Sequence, residues 1–238
     1  MDIDPGEVLD QAREAFSQKN YSVALEKYQW FYDNAIEIQE SYYGVRLSYC
    51  LDEWAQLGDE YPEAKDALIK LKIATLSDFK KSNSHQSFHE YSSIAEYLKC
   101  KSEVFDEFLL IHKEDEERAS KLFSFVYEYC AANEMWDLCA KYLGNGYKQY
   151  QRTLELFDYM IEYSKKPSSK QGEAIHLDGI KATKRDLLWL LNMLHHIKAD
   201  EALESALNKM EFDLKERGFS ELAKEISDSI RYKPAITK

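Results

Sequence analysis

The stretch Tyr21-Ser22-Val23-Ala24-Leu25-Glu26-Lys27-Tyr28-Gln29-Trp30-Phe31 decides the fold class. Tyr21, Ala24, Tyr28 and Phe31 follow one another at steps of 3, 4 and 3. That spacing sets four side chains on one face of an α-helix, whereas a half-buried strand would alternate them. Just upstream, Lys19-Asn20 reads as a turn. Before it, Val8, Ala12, Ala15 and Phe16 recur at helical spacing. Asp4-Pro5 opens this earlier helix, because aspartate can cap free amides and proline suits the first helical position. The chain therefore begins as two helices joined by a tight turn.

The same signature returns further along. Tyr61, Ala64, Leu68 and Leu71 repeat the 3, 4, 3 steps, with Gly58-Asp59 ahead of them as a helix stop and Pro62 in the first turn. Tyr97, Cys100 and Val104 repeat the 3, 4 steps. So do Trp136, Cys139 and Leu143, which end at Gly144-Asn145-Gly146. The aromatic anchors Tyr21, Tyr61, Tyr97 and Trp136 lie 40, 36 and 39 residues apart. Self-similarity at such a period signals stacked helix–turn–helix units. A further helix is expected from Tyr147 to Tyr163, with Tyr150, Leu154, Phe157 and Ile161 on one side. Lys165 to Gly179, polar and holding both Pro167 and Gly172, reads as a loop, either a plain linker or a functional one. Three helices follow: Thr183 to Lys198, one capped by Asp200 and stopped by Gly218, and one marked by Phe219, Leu222, Ile226 and Ile230. The expected organisation is repeats over 1–164, a loop over 165–179 and a helical capping segment with a short tail over 180–238.

Composition agrees with an all-α fold. The 238 residues include only 8 Gly and 4 Pro, too few for the turns of an all-β chain. The 17 Tyr, 11 Phe and 4 Trp suit the spaces between packed helices. Asp and Glu total 43 against 31 Lys and Arg, a formal charge of −12. Direct binding to nucleic acid or to an anionic membrane needs a basic surface, so neither is expected. The acidity serves either solubility or attraction to a basic partner. The N-terminus has no basic-then-apolar leader pattern, and no stretch has the roughly 20 apolar residues of a membrane span. Cys50, Cys100, Cys130 and Cys139 are scattered, as expected of reduced thiols in a cytoplasmic protein.

The helical hairpins resemble the tetratricopeptide repeat (TPR). That family's second helix begins with an aromatic residue, followed by a small residue three positions on and a large one four beyond that. Tyr21-Ala24-Tyr28, Tyr61-Ala64-Leu68 and Trp136-Cys139-Leu143 carry the resemblance, and Tyr97-Cys100-Val104 carries it less closely. Six residues before each anchor, where the family places a compact apolar residue, stand Ala15, Ala55, Tyr91 and Cys130, of which Tyr91 departs. The family string W-x2-L-G-x2-Y also occurs, at Trp54 to Tyr61, but Pro62 and Gly58-Asp59 put its end in a turn. The resemblance covers about residues 4–145 and implies a right-handed α-solenoid of antiparallel hairpins. It also implies a concave groove lined by the first helix of each hairpin. Eight residues before the anchors stand Arg13, Glu53, His89 and Glu128; twelve before stand Leu9, Tyr49, His85 and Ser124. Arg46 and Lys121 stand fifteen before the second and fourth anchors. Of these, Arg13, Arg46, Tyr49, Glu53, His85, His89, Lys121, Ser124 and Glu128 are the candidate partner-binding residues.

Little else points to chemistry. His85 and His89 could share a metal at i, i+4, yet no HExxH pattern or third ligand adjoins them. Cys130 and Cys139 read as small packing residues. No phosphate-binding or nucleophile-elbow motif occurs. The expectation is a non-catalytic adaptor or scaffold, with no cofactor and no metal, that docks a peptide or another protein. The competing expectation is a stoichiometric inhibitor or regulator of a basic protein, immunity-protein-like or peptide-sensing.

Overall fold

The structure is a computed structural model, and it describes residues 3–166 and 172–231. Among these residues every regular element is helical and none is a strand. The chain divides into two compact units, Met1–Val126 and Tyr127–Lys238.

The first unit opens with α1 (Pro5–Ser17) and α2 (Tyr21–Ile38). The Asp4 carboxylate accepts from the Gly6 amide at 2.8 Å, so the aspartate cap expected before Pro5 is present. A short 3-10 turn (Glu40–Tyr42) leads into a continuous rod. It consists of α3 (Tyr43–Val45), a π-helical turn (Arg46–Cys50) and α4 (Leu51–Glu60). Next come α5 (Pro62–Ser82), α6 (His85–Tyr97), α7 (Lys101–Glu114) and α8 (Glu116–Leu122), and the unit closes with a 3-10 turn over Phe123–Phe125. Small residues let α1 and α2 meet closely: Ala12, Ala24 and Ala35 are fully buried beside Tyr28 and Phe31. The same core takes in Leu51, Leu57 and Leu68 from α4 and α5. Each such side chain contributes roughly 1.5–3 kcal/mol on burial.

The second unit holds α9 (Tyr127–Ala132), α10 (Trp136–Leu143), α11 (Tyr147–Ser164), α12 (Gly172–His196), α13 (Asp200–Glu216) and α14 (Ser220–Arg231). Tyr150, Leu154, Phe157 and Ile161 of α11 are all buried, as their spacing predicts. So are Leu187, Leu190, Leu191 and Leu194 of α12, and Leu222, Ile226 and Ile230 of α14.

Five turns among the described residues share one geometry. At Gln18-Lys19-Asn20 the Asn20 amide donates to the Ala15 carbonyl (2.8 Å) and the Lys19 amide to the Phe16 carbonyl (2.9 Å). The same pair of bonds closes the turns centred on Lys99, Glu134, Lys198 and Gly218. The central residue is left-handed each time, with φ between 55° and 84°. This crossed pattern satisfies the last carbonyls of the preceding helix, and glycine is its preferred centre. Here four of the five centres carry a side chain.

Several boundaries differ from the sequence reading. Gly58 does not stop a helix: it is buried within α4, where an added Cβ would come within 3.2 Å of the Lys65 backbone. The glycine is there because α4 and α5 cross closely. Tyr61 does fall at the end of α4, in extended backbone. Tyr97 is the last residue of α6 and not the first of a second helix; the turn is at Lys99, and Cys100 precedes α7. The 3, 4 spacing of Tyr97, Cys100 and Val104 runs across that turn. The loop expected over Lys165–Gly179 is helix from Gly172 onward, and residues 167–171 lie outside the described set. Gly179 is buried in α12 against Met160, a contact that rewards helix despite the polar composition. Asp200 is the first residue of α13, and Ala199 holds the cap position. The division between units falls at Val126/Tyr127, while α11 and α12 pack together inside the second unit.

Candidate functional site

The sequence-derived candidates separate into those at the surface and those used for packing. Arg13 of α1 and Glu53 of α4 meet directly. The Arg13 Nε donates to both Glu53 oxygens at 3.0 Å, one Nη donates to Glu53 at 2.8 Å, and the other Nη reaches Asp10 at 2.7 Å. This forked pairing fixes both side chains. It also keeps the guanidinium firmly protonated, with the Glu53 bond as the largest cause. The Tyr28 hydroxyl stands 3.5 Å from the same carboxylate, and burial pushes its ionisation well above the ordinary tyrosine range.

Arg46 is not a groove residue. It is 8% exposed. Its Nε donates to the Tyr32 carbonyl at 2.7 Å, one Nη donates to Glu90 at 2.8 Å, and the guanidinium lies 3.9 Å from the Tyr32 ring centre. A buried arginine is tolerable only with this complete set of partners. Arg46 thus ties α2 to α6 across the π-helical turn. His85 and His89 both face Phe125, each with ring centres 5.0 Å away. The His89 Nδ1 lies 3.2 Å from the Tyr43 hydroxyl. Burial holds His89 below its ordinary pKa, and the neighbouring His85 adds to the effect. Tyr49 is exposed (64%). Lys121 on α8 pairs with Glu117 at 2.8 Å, and Ser124 lies exposed in the 3-10 turn. Glu128 belongs to the second unit, 3.6 Å from Arg185. Lys121, Ser124 and Glu128 therefore do not share one helix face, because the chain leaves α-helix between α8 and α9.

Two of the depressions on the first unit share Gln56. One, about 640 Å3, is bounded by Arg13 and Phe16 of α1, Tyr21 and Tyr28 of α2, and Glu53 and Glu60 of α4. The other, about 290 Å3, has an apolar floor of Ala55, Leu68 and Leu98. Asp52 and Asp59 of α4 and Glu96 and Tyr97 of α6 stand around it. The two adjoin at Gln56, near the C-terminal halves of α1, α4 and α6, and are together called the trough. The amphipathic pattern of α4 produces it. Leu51, Trp54, Leu57 and Gly58 face the core, which turns Asp52, Gln56 and Asp59 outward. The Trp54 indole N–H donates to the Ala64 carbonyl at 2.9 Å and fixes α4 against α5. Aromatic contacts continue along the wall: Phe16 lies 5.9 Å from Tyr21, and Tyr21 lies 6.1 Å from Tyr61.

Sequence reasoning found one end of this trough, Arg13 and Glu53, and missed Gln56, Asp59, Glu60 and Glu96. These lie one or two turns nearer the C-terminal ends of the same helices. Correct helix ends, above all the extent of α4 past Gly58, were the signal that would have found them.

Other chemistry is sparse. Among the described residues no three His, Cys, Asp or Glu side chains gather as a metal site. All four cysteines are free. Burial pushes the Cys130 and Cys139 thiols up to about 12, so they are protonated and poorly nucleophilic. Cys100 is part-buried, with the Lys72 Nζ 3.4 Å from its sulfur. No helix among the described residues is long and apolar enough to cross a membrane. Comparison of the chain with protein-family models, with curated proteins and with solved structures found no match.

Proposed function

We propose that the chain is a non-catalytic, TPR-like docking module that seats an extended segment of another protein in the trough of its first unit. The observation that carries this reading is the pair of depressions joined at Gln56 and lined by α1, α4 and α6. In a solenoid of helical hairpins these would be the first helices of three successive units, the side on which such folds expose a long surface. The small residues at the α1–α2 contact, the recurrent hairpin turn and the Tyr21–Tyr61 contact all support a repeat construction. An open, mixed-polarity surface suits a polypeptide better than the enclosed, convergent pocket of a small-molecule site. On this reading the protein is an adaptor or scaffold of the cytoplasm. The second reading, a stoichiometric regulator of a basic protein, draws on the net charge of −12 and would use the same trough.

A photo-crosslinking amino acid placed at Gln56, and another at exposed Ser229 in the second unit, test the reading in the cells that make this protein. Crosslinks to one defined protein from position 56 and none from 229 are expected. Equal or absent crosslinking at both positions would remove the trough as a docking site.

A further inference from the structure

Resting on that docking reading, we infer that the occupant of the trough is an extended basic segment with cationic side chains three residues apart. The charge of this protein is unevenly placed. Residues 1–126 hold 25 Asp and Glu against 14 Lys and Arg, while residues 127–238 hold 18 against 17. Nearly all of the net negative charge therefore belongs to the unit that carries the trough. A field of that sign draws cationic segments toward the unit from a distance.

Within the trough, α4 is the wall common to both depressions. It carries Asp52, Glu53, Asp59 and Glu60, and not one Lys or Arg. Glu53 is occupied by Arg13, which in turn is held by Asp10, so this arginine is not offered to an acidic ligand. Asp52, Asp59 and Glu60 are in no ion pair among the described residues. Lys65 of α5 and Lys99 of the turn after α6 line the smaller depression, and Lys19 of the turn after α1 lines the larger one. The acidic residues thus run along α4 itself, and the lysines come from the elements on either side of it.

The spacing can be read from helix geometry. Asp52 and Asp59 are seven residues apart on α4, a rise of about 10 Å. Three residues of extended chain in the polyproline II conformation rise about 9 Å and return the side chain to the same side. A segment of the pattern cation-x-x-cation, lying along α4, brings one charge to each aspartate. Its intervening apolar side chain would rest on Ala55, Leu68 and Leu98.

The test uses the full chain and three fluorescein-labelled peptides, repeating Arg-Leu-Ser, Gln-Leu-Ser and Glu-Leu-Ser, read by fluorescence anisotropy. The arginine peptide is expected to bind at least about tenfold more tightly than the other two. Its affinity should fall as salt rises. Asp52→Lys with Asp59→Lys should weaken it about tenfold, and the milder Asp52→Asn with Asp59→Asn about threefold. Asp78→Lys with Asp106→Lys makes the same change of charge elsewhere on the same unit and should cost much less. Equal losses from the two lysine pairs would overturn the inference, leaving only a diffuse field. Preference for the glutamine or glutamate peptide would overturn it while leaving the docking reading intact. Binding of none of the three would also overturn it, and the Gln56 crosslinks then report separately on whether the trough docks anything.

Discussion

The turn centred on Lys99 in the first unit and the turn centred on Lys198 in the second are closed by the same two hydrogen bonds, yet they stand on unlike surfaces. Residues 1–126 carry a large excess of carboxylates, and residues 127–238 are close to balanced. Backbone construction and surface charge have therefore been set separately. If the acidity served solubility alone, nothing would favour one unit over the other. On the docking proposal, its concentration on the unit with the trough reflects what that unit meets.

The largest test of this comparison is in the balanced unit. Trp136 begins α10 and is 8% exposed, so Trp136→Ala should cost roughly 3–5 kcal/mol as a core truncation. Denaturant unfolding measures it. A loss under about 1 kcal/mol would mean that the ring is not a structural wedge there. The next test separates the units by acid. His89, in the first unit, is held below its ordinary value of 6.5 by burial and then by His85. The folded state thus binds fewer protons than the unfolded chain, and acid favours unfolding. Stability from this site is complete above about pH 6.5 and is lost as the pH falls from there toward the lowered folded value. His89→Phe, which keeps a ring against Phe125, should flatten that limb of the stability–pH curve; an unchanged slope would absolve His89. The smallest effect should be common to both units. Lys99 and Lys198 hold left-handed backbone at φ 58° and 55°. That conformation costs a side-chain-bearing residue about 1–2 kcal/mol, partly offset by glycine's greater freedom when unfolded. Lys99→Gly and Lys198→Gly should each therefore gain about 0.5 kcal/mol, visible as a small rise in melting temperature. A gain at one site alone would show that the two turns are less alike than their hydrogen bonds.

Much of the architecture was legible because it depends on short-range pattern. Asp4-Pro5, the buried face of α11 and the glycines at 144, 146 and 218 behave as read. What misled was backbone conformation without its usual residue. Lys99 turns the chain where glycine would have announced it, so Tyr97 was placed at the start of a helix that it ends. Gly58 misled in the opposite sense, since it serves a close helix crossing inside α4. The polar run after Lys165 concealed a helix because half of its case lies in contact with Met160. The site was less legible than the fold. Arg13 and Glu53 were identified by position, but pairing across 40 residues of chain is a property of packing. Arg46 looked like a surface cation until its partners, the Tyr32 carbonyl and Glu90, came together around it.

The π-helical turn at Arg46–Cys50 has a consequence for how this chain tolerates length change. One extra residue is absorbed there without a loop, in the middle of an otherwise regular rod. Removing one residue from that turn would return the rod to regular α-helical pairing and leave the faces of α4 where they are. The same deletion within α4 would turn everything beyond it by about 100°, swinging Leu57 toward water and Asp59 away from it. The rod therefore holds a place where a single-codon deletion is absorbed, next to a helix where the same change exchanges inside for outside.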